Sequence, residues 1–348
     1  MAKIHFSMTL FSRKLPLLDQ QKRAGYRGDY EEGWRLALEL KKLEPDNKRA
    51  VYNRGWFHMD RGEVKEAFKC MEAGRGKEVD FIWGAHTPPS SNKPEWTPDV
   101  DLNGKTILVD TERGYGDMIV HLRFVRDLKE KYPDSTIMLI ADNSIGPVLS
   151  TTDGCDGWYP RNRDGYPAHD YWAFGSKLPY SLEIDSIRND AYLSIKRSYT
   201  DGKTKPRVGI RWLSHPGCWE RVFAPSLMFN ACRPHIDKFD FFSLQRDCGM
   251  EFLPDFCTDL STKLTNWSET AQWINGMDVV ISSCTSIVHL AAAMGKKTYA
   301  VVPLICWFPY GMKDTYSKWY PDCRVFRQKK LWHWEEPFKE INEELGKL

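Results

Sequence analysis

Apolar positions change period several times along the chain, and the changes divide it. Ile107-Leu108-Val109 is a short unbroken apolar run, which predicts a buried strand. Gly114 and Gly116 interrupt it and allow a tight turn. Beyond Asp117, residues Met118, Ile119, Leu122 and Val125 recur at helical spacing. The reading is strand, glycine turn, helix N-terminus. Bare amides and the positive end of a helix dipole gather at such a point, which suits an anion, although Asp117 could also simply cap the helix.

The alternation continues. Strands are predicted at 136–141, 169–174, 207–212, 239–245, 277–282 and 297–303, and helices at 145–149, 268–275 and 287–294. The second half restarts the logic of the first after a hydrophilic break near 201–206. A loop from Ser214 to Ala224 carries His215, Glu220 and Arg221, and another strand ends in Gln245-Arg246-Asp247. The tail, 334–348, reads as an amphipathic helix with Phe338, Ile341 and Leu345 on one face. Strands alternating with helices imply parallel sheets covered on both faces, and ligands of such sheets bind beyond the carboxyl ends of the strands. The turn Ser282–Ser286 opens a helix and places a second anion site opposite Asp117.

Residues 12–75 follow a different rule. Gly28-Asp-Tyr-Glu-Glu-Gly-Trp-Arg-Leu-Ala37 returns in outline as Gly62-Glu-Val-Lys-Glu-Ala-Phe-Lys-Cys-Met71, an offset of 62 − 28 = 34 residues. That is the tetratricopeptide period. About two helix-turn-helix units fit, too few for a free-standing solenoid, so they are expected to dock on the next domain as a cap or as a partner-recruiting surface. Pro88, Pro89, Ser90, Ser91, Pro94 and Pro98 then read as a linker. The expected division is a helical domain 1–83, a linker 84–103, an α/β domain 104–200, a second α/β domain 201–333 and a terminal helix 334–348.

Composition narrows the classes. A net charge of +2 over 348 residues does not announce nucleic acid or a membrane. No apolar run approaches the ~20 residues of a membrane span, and the first eleven residues are too short and polar for a secretory signal. Nine cysteines, an odd number without a Cys-x-x-Cys, suit free thiols in a reducing cytoplasm. No His/Cys cluster has zinc spacing. The glycine turn lacks the third glycine of a dinucleotide fingerprint, since position 119 is Ile.

Cys284-Thr-Ser-Ile-Val-His-Leu-Ala-Ala-Ala-Met-Gly295 resembles the Asp-Thr-Gly-x-x-His-Leu-Ala-x-Ala-x-Gly motif of heptosyltransferase-like glycosyltransferases, and the Gly-x-Gly-Asp117 turn is similar to their N-domain motif. Phe242-Ser-Leu-Gln245 and the stretch from Trp319 to Gln328 resemble segments of members fused to tetratricopeptide repeats. The overall layout is similar to repeat-fused transferases of tailed bacteriophages. The resemblance implies a GT-B fold, two Rossmann-like domains around a nucleotide-sugar cleft, with an N-terminal all-α segment. It implies Asp117 as general base and Arg211, Arg221, Thr285, Ser286 and His289 as contacts of the donor phosphates, with Gly114, Gly116, Gln245 and Cys284 lining the cleft. Cys284 replaces the usual acid and Ser286 the usual glycine, which puts the identity of the donor in question.

The implied reaction moves a sugar from a nucleotide-diphosphate donor, UDP- or ADP-linked, to an acceptor hydroxyl without a metal or other cofactor. Closure between the domains would exclude water. Asp99-Val100-Asp101 is similar to the metal-binding Asp-x-Asp of another transferase class, but precedes a strand instead of ending one. The phage-like layout suggests 5-hydroxymethylcytosine in DNA as acceptor, with the loop Trp158-Tyr-Pro-Arg-Asn-Arg163 as a candidate contact. The rival acceptors are lipopolysaccharide and other carbohydrates. A protein that keeps the fold only as a binding scaffold is the non-enzymatic alternative.

Overall fold

The computed structural model describes residues 16–80, 82–84, 87–162, 164–200, 202, 204–214, 219–246 and 249–348. The first eleven residues, Arg163, His215 and Asp247, named above, lie outside them. Helices α1 (Leu17–Tyr26), α2 (Tyr30–Leu43), α3 (Lys48–Asp60) and α4 (Val64–Glu72) form two helical hairpins. Asp29 and Asn47 cap α2 and α3 by accepting from the backbone N–H groups of Glu32 and Ala50.

The first sheet follows, from β1 (Thr106–Asp110), α5 (Tyr115–Lys131), β2 (Thr136–Ala141), α6 (Gly146–Leu149), β3 (Gly157–Pro160), β4 (Tyr171–Phe174) and α7 (Leu178–Ser181). Its four strands are parallel in the order β3-β2-β1-β4. The second comprises β5 (Arg207–Arg211), α8 (Pro225–Cys232), β6 (Asp240–Ser243), β7 (Cys257–Asp259), α9 (Trp267–Asn275), β8 (Val279–Ser283), α10 (Ser286–Ala293), β9 (Lys297–Val302) and β10 (Cys323–Arg327). Its six strands run parallel in the order β10-β9-β8-β5-β6-β7. The last helix, α11 (Glu335–Lys347), buries Phe338, Ile341 and Leu345 and packs on α8. The fold is the expected pair of Rossmann-like parallel-sheet domains with an N-terminal helical segment.

Central strands are built around apolar runs, as burial on both faces favours: β8 is buried at every position. The strands that the hydrophobic pattern missed, β3, β7 and β10, are all outermost or short. The loop proposed to meet a flipped base is partly β3. Trp158 lies in the strand against Gly146, and Arg161 pairs with the buried Asp110 at 2.6 Å. That aromatic-basic loop is therefore in part a sheet edge, with Arg161 already engaged. The proline-rich stretch is packed as well. Trp96 is buried and its backbone N–H donates to the Trp172 carbonyl at 2.7 Å, while Trp172 Nε1 donates to the Lys93 carbonyl at 2.9 Å.

The helical hairpins share a core with both sheets. Phe68 of α4 meets Phe124 of α5 and Trp319 edge-on, at 5.6 and 6.3 Å between ring centres. Trp56 of α3 meets Phe308 at 6.0 Å. The two sheet domains are joined at α5. Buried Arg123 donates to the carbonyls of Arg188 and Trp319, at 2.9 and 2.6 Å, and lies 4.8–4.9 Å from the rings of Tyr192, Trp319 and Tyr320. Among the described residues no helix is long and apolar enough to cross a membrane.

Because Phe68 is fully enclosed at this three-way junction, Phe68→Ala is expected to cost about 3–5 kcal/mol of unfolding free energy. Urea unfolding followed by circular dichroism and by tryptophan fluorescence checks both the loss and the shared core. The two probes should give one coincident transition.

Candidate functional site

A cavity of about 590 Å3 lies where the carboxyl ends of β1 and β8 meet the helical segment. Two chain reversals supply its opposing walls. In the first, β1 ends at Asp110, and Arg113 adopts a left-handed conformation with φ of 74° before α5 begins. Such a conformation is unusual for a side chain other than glycine and stores strain beside the cavity. The Gly114 N–H donates to Asp117 Oδ2 at 3.2 Å, so the carboxylate closes the N-terminus of its own helix. In the second, β8 runs into Cys284, Thr285 caps α10 by accepting from the Ile287 N–H at 3.3 Å, and Ser286 is the first helical residue.

The two helices touch at their starts. A Cβ on Gly116 would stand 3.1 Å from His289 Cδ2 and 3.8 Å from Ser286 Cα. Glycine therefore permits the approach, and a side chain there would require the His289 ring to give way. Both N-termini open on the same space, so two sets of free amides and two positive dipole ends converge there. Arg221 enters from the loop after β5 and donates to the Cys284 carbonyl at 3.1 Å. Arg211 at the end of β5 also lines the cavity and donates to the Leu244 carbonyl at 3.3 Å.

Electrostatics separate the site's groups. Burial raises the Asp117 carboxyl above its ordinary value, against the opposing charges of Arg113 and Arg221 and the Gly114 amide. Burial lowers both cavity histidines, His121 and His289, to about 3. Both are neutral imidazoles near neutral pH.

The structure brings Gly114, Gly116, Asp117, Arg211, Arg221, Cys284, Thr285, Ser286 and His289 to one cavity. It does not bring Gln245 there. That side chain is fully buried, and its Oε1 accepts from the Leu213 N–H at 3.0 Å, which holds the loop after β5. Nor does His289 offer a nitrogen to the cavity. Nδ1 is 2.9 Å from the Tyr320 hydroxyl and Nε2 is 3.0 Å from that of Tyr310, so only the ring edge faces inward. In this arrangement His289 shapes the wall and cannot bond a phosphate directly. Asp99 and Asp101 are exposed and away from the cavity.

Sequence reasoning missed His121, one turn after Asp117 on the same helix face. Its Nδ1 lies 2.9 Å from the Asp117 carbonyl, which can only accept, so Nδ1 carries the proton and Nε2 is a bare acceptor. That buried Nε2 has no hydrogen-bond partner among the described residues. The i, i+4 spacing from Asp117 was the available signal. The helical segment was also missed as a wall: Tyr52, Trp56 and Trp83 line the cavity, with Trp307 from the second domain.

No protein-family model matches the chain. Protein FlbA of Caulobacter vibrioides is 25% identical over an alignment of 371 positions that covers 85% of this chain. The chain spans 61% of the length of that curated relative. Among solved structures, a glycosyl transferase family 9 protein of Veillonella parvula superposes with a TM-score of 0.53 at 12% identity, over 72% of this chain and 92% of that one. The ADP-heptose lps heptosyltransferase II of E. coli gives 0.49 at 14% identity, over 70% of this chain and 99% of that one. The likeness to the Veillonella protein is one of fold.

The histidines give a test of the site's electrostatics. Their folded values lie below the ordinary 6.5, so as pH falls from 6.5 toward about 3 the unfolded chain binds protons that the folded chain refuses. Their contribution is complete above 6.5 and lost through that window. Urea unfolding between about pH 7 and about pH 5 should show stability falling with acid. The slope should be smaller in a His121→Gln, His289→Gln double variant.

Proposed function

We propose that this chain transfers a sugar from a nucleoside-diphosphate sugar to an acceptor hydroxyl. One observation carries the reading: the Asp117 carboxylate and the N-terminus of α10 face the same cavity from opposing helices in contact at Gly116. A base and an anion cradle at that separation are what displacement of a diphosphate by an alcohol needs. The two-domain fold shared with the family 9 protein agrees with it.

The proposed step balances simply. Asp117 takes the hydroxyl proton, the freed oxygen attacks the anomeric carbon, and the bond from that carbon to the diphosphate oxygen breaks. The electron pair leaves on the diphosphate. The Ser286 amide, the Thr285 hydroxyl and the Arg211 and Arg221 guanidiniums would receive the developing charge. Fixed donors aimed at departing charge are commonly the largest catalytic contribution. The raised Asp117 makes it a stronger base than an exposed carboxylate, at the cost of a higher pH needed to ionise it. The indoles of Trp56, Trp83 and Trp307 would exclude water from the reacting atoms. His121 Nε2, able only to accept, would take a hydrogen bond from a sugar hydroxyl.

A carbohydrate acceptor fits better than DNA. The loop offered for a flipped base is in part a sheet edge, with Arg161 paired with Asp110, and the net charge is only +2. The scaffold alternative would retain nucleotide binding without transfer.

Two measurements test the reading. A thermal-shift screen of UDP, ADP and GDP and their sugars should raise the melting temperature with one nucleotide, equivalent to about 2.7 kcal/mol at a hundredfold excess over Kd. Asp117→Asn should then lower turnover by about 10²–10⁴-fold while leaving nucleotide affinity nearly intact. The wild-type rate should fall on the acid side of a midpoint above the ~4 of an exposed aspartate. Full turnover by the Asn variant would remove Asp117 from the reaction.

A further inference from the structure

A second cavity, of about 470 Å3, lies between α1–α3 and the chain that follows β9. It is separate from the proposed transfer site but shares a wall with it. Tyr52 and Trp56, one turn apart on α3, line both spaces. Its volume falls in the ~300–1,000 Å3 range of small-ligand sites and is too small for a folded partner.

Its chemistry is specific. Tyr26, Tyr30 and Phe57 add aromatic surface to that of Tyr52 and Trp56. Gln21 lines it while only 4% exposed. The Gln21 Oε1 accepts from Asn53 Nδ2 at 3.1 Å, but Nε2 has no hydrogen-bond partner among the described residues. A buried amide donor left unpaired costs about 1–3 kcal/mol, which a ligand oxygen would recover. The Arg327 guanidinium at the same pocket already donates to the carbonyls of Tyr310 and Gly311, each at 2.9 Å. The pocket therefore offers ring faces and a buried amide, with the exposed Lys22 and Asp19 and the half-buried Arg49 also in its lining.

A pyranose has the matching surface. Its axial C–H bonds give a face that packs on aromatic rings, and its hydroxyls accept from amides. We infer that this pocket is a saccharide-binding site that holds the non-reacting end of a carbohydrate acceptor whose reactive hydroxyl lies in the neighbouring cavity. The inference rests on the transfer reading for the word acceptor. The saccharide site itself rests on Gln21, the aromatic walls and the shared partition.

The experiment uses the full chain and a panel of methyl glycosides of glucose, galactose, mannose and N-acetylglucosamine. Binding is read by saturation-transfer NMR and then by calorimetry. At least one glycoside should bind the wild type, and Gln21→Leu and Tyr26→Ala should each weaken it tenfold or more. UDP or ADP affinity should stay within twofold. Thermal melting confirms folding, and Tyr26→Ala, which alters a half-buried ring, decides if Gln21→Leu fails to fold. Glycoside binding that neither variant changes would overturn the proposal. So would a chain that binds nucleotide but no glycoside, or one in which a single-stranded oligonucleotide or an unfolded peptide, not a glycoside, is lost in both variants. Glycoside binding lost in the variants, in a chain that binds no nucleotide, would keep the saccharide pocket and sink the transfer reading.

Discussion

Everything at the candidate site follows from the contact between the starts of α5 and α10. Two helices that emerge from different sheets meet with Gly116 against His289 and Ser286. A side chain at 116 would stand 3.1 Å from the His289 ring and require that ring to give way. The contact brings two amide-rich N-termini to one space, sets Asp117 opposite Thr285 and Ser286, and leaves the helical hairpins to close the remaining side. His289 belongs to this constraint. With both nitrogens engaged by Tyr310 and Tyr320, its ring is held as a spacer of fixed orientation.

Much of the architecture was legible because buried parallel strands must be apolar at successive positions. The runs at Ile107–Val109 and Val279–Ile281 are short and bounded by turn residues, which favours strands. The glycine turn before Asp117 and the Thr285 cap were legible for the same local reason: each is a backbone requirement written in one or two residues. The outer strands were not. In β10 the apolar pair Val325-Phe326 is bounded by Arg324 and Arg327, and β7 has three residues, too few in either to establish a period.

Long-range contacts escaped the sequence reading for a different reason. Gln245 looked like a polar residue at a strand end, where ligands bind, yet its side chain is spent on the Leu213 amide. His121 looked like one more helix residue, and only the Asp117 carbonyl beside it fixes its tautomer. Tyr52 and Trp56 sit on a helix of the N-terminal hairpins, and their placement against the cavity depends on how the hairpins dock. Such facts depend on pairs of residues far apart in the chain, and no spacing encodes them.

Arg123 has a consequence for how the two halves stay together. Its partners are carbonyl dipoles and ring faces in a dry seam, not a carboxylate. Dissolved ions weaken exposed pairs such as Arg126 with Asp190, but they have little access to this one. Brine should loosen the periphery of the molecule well before it loosens the join.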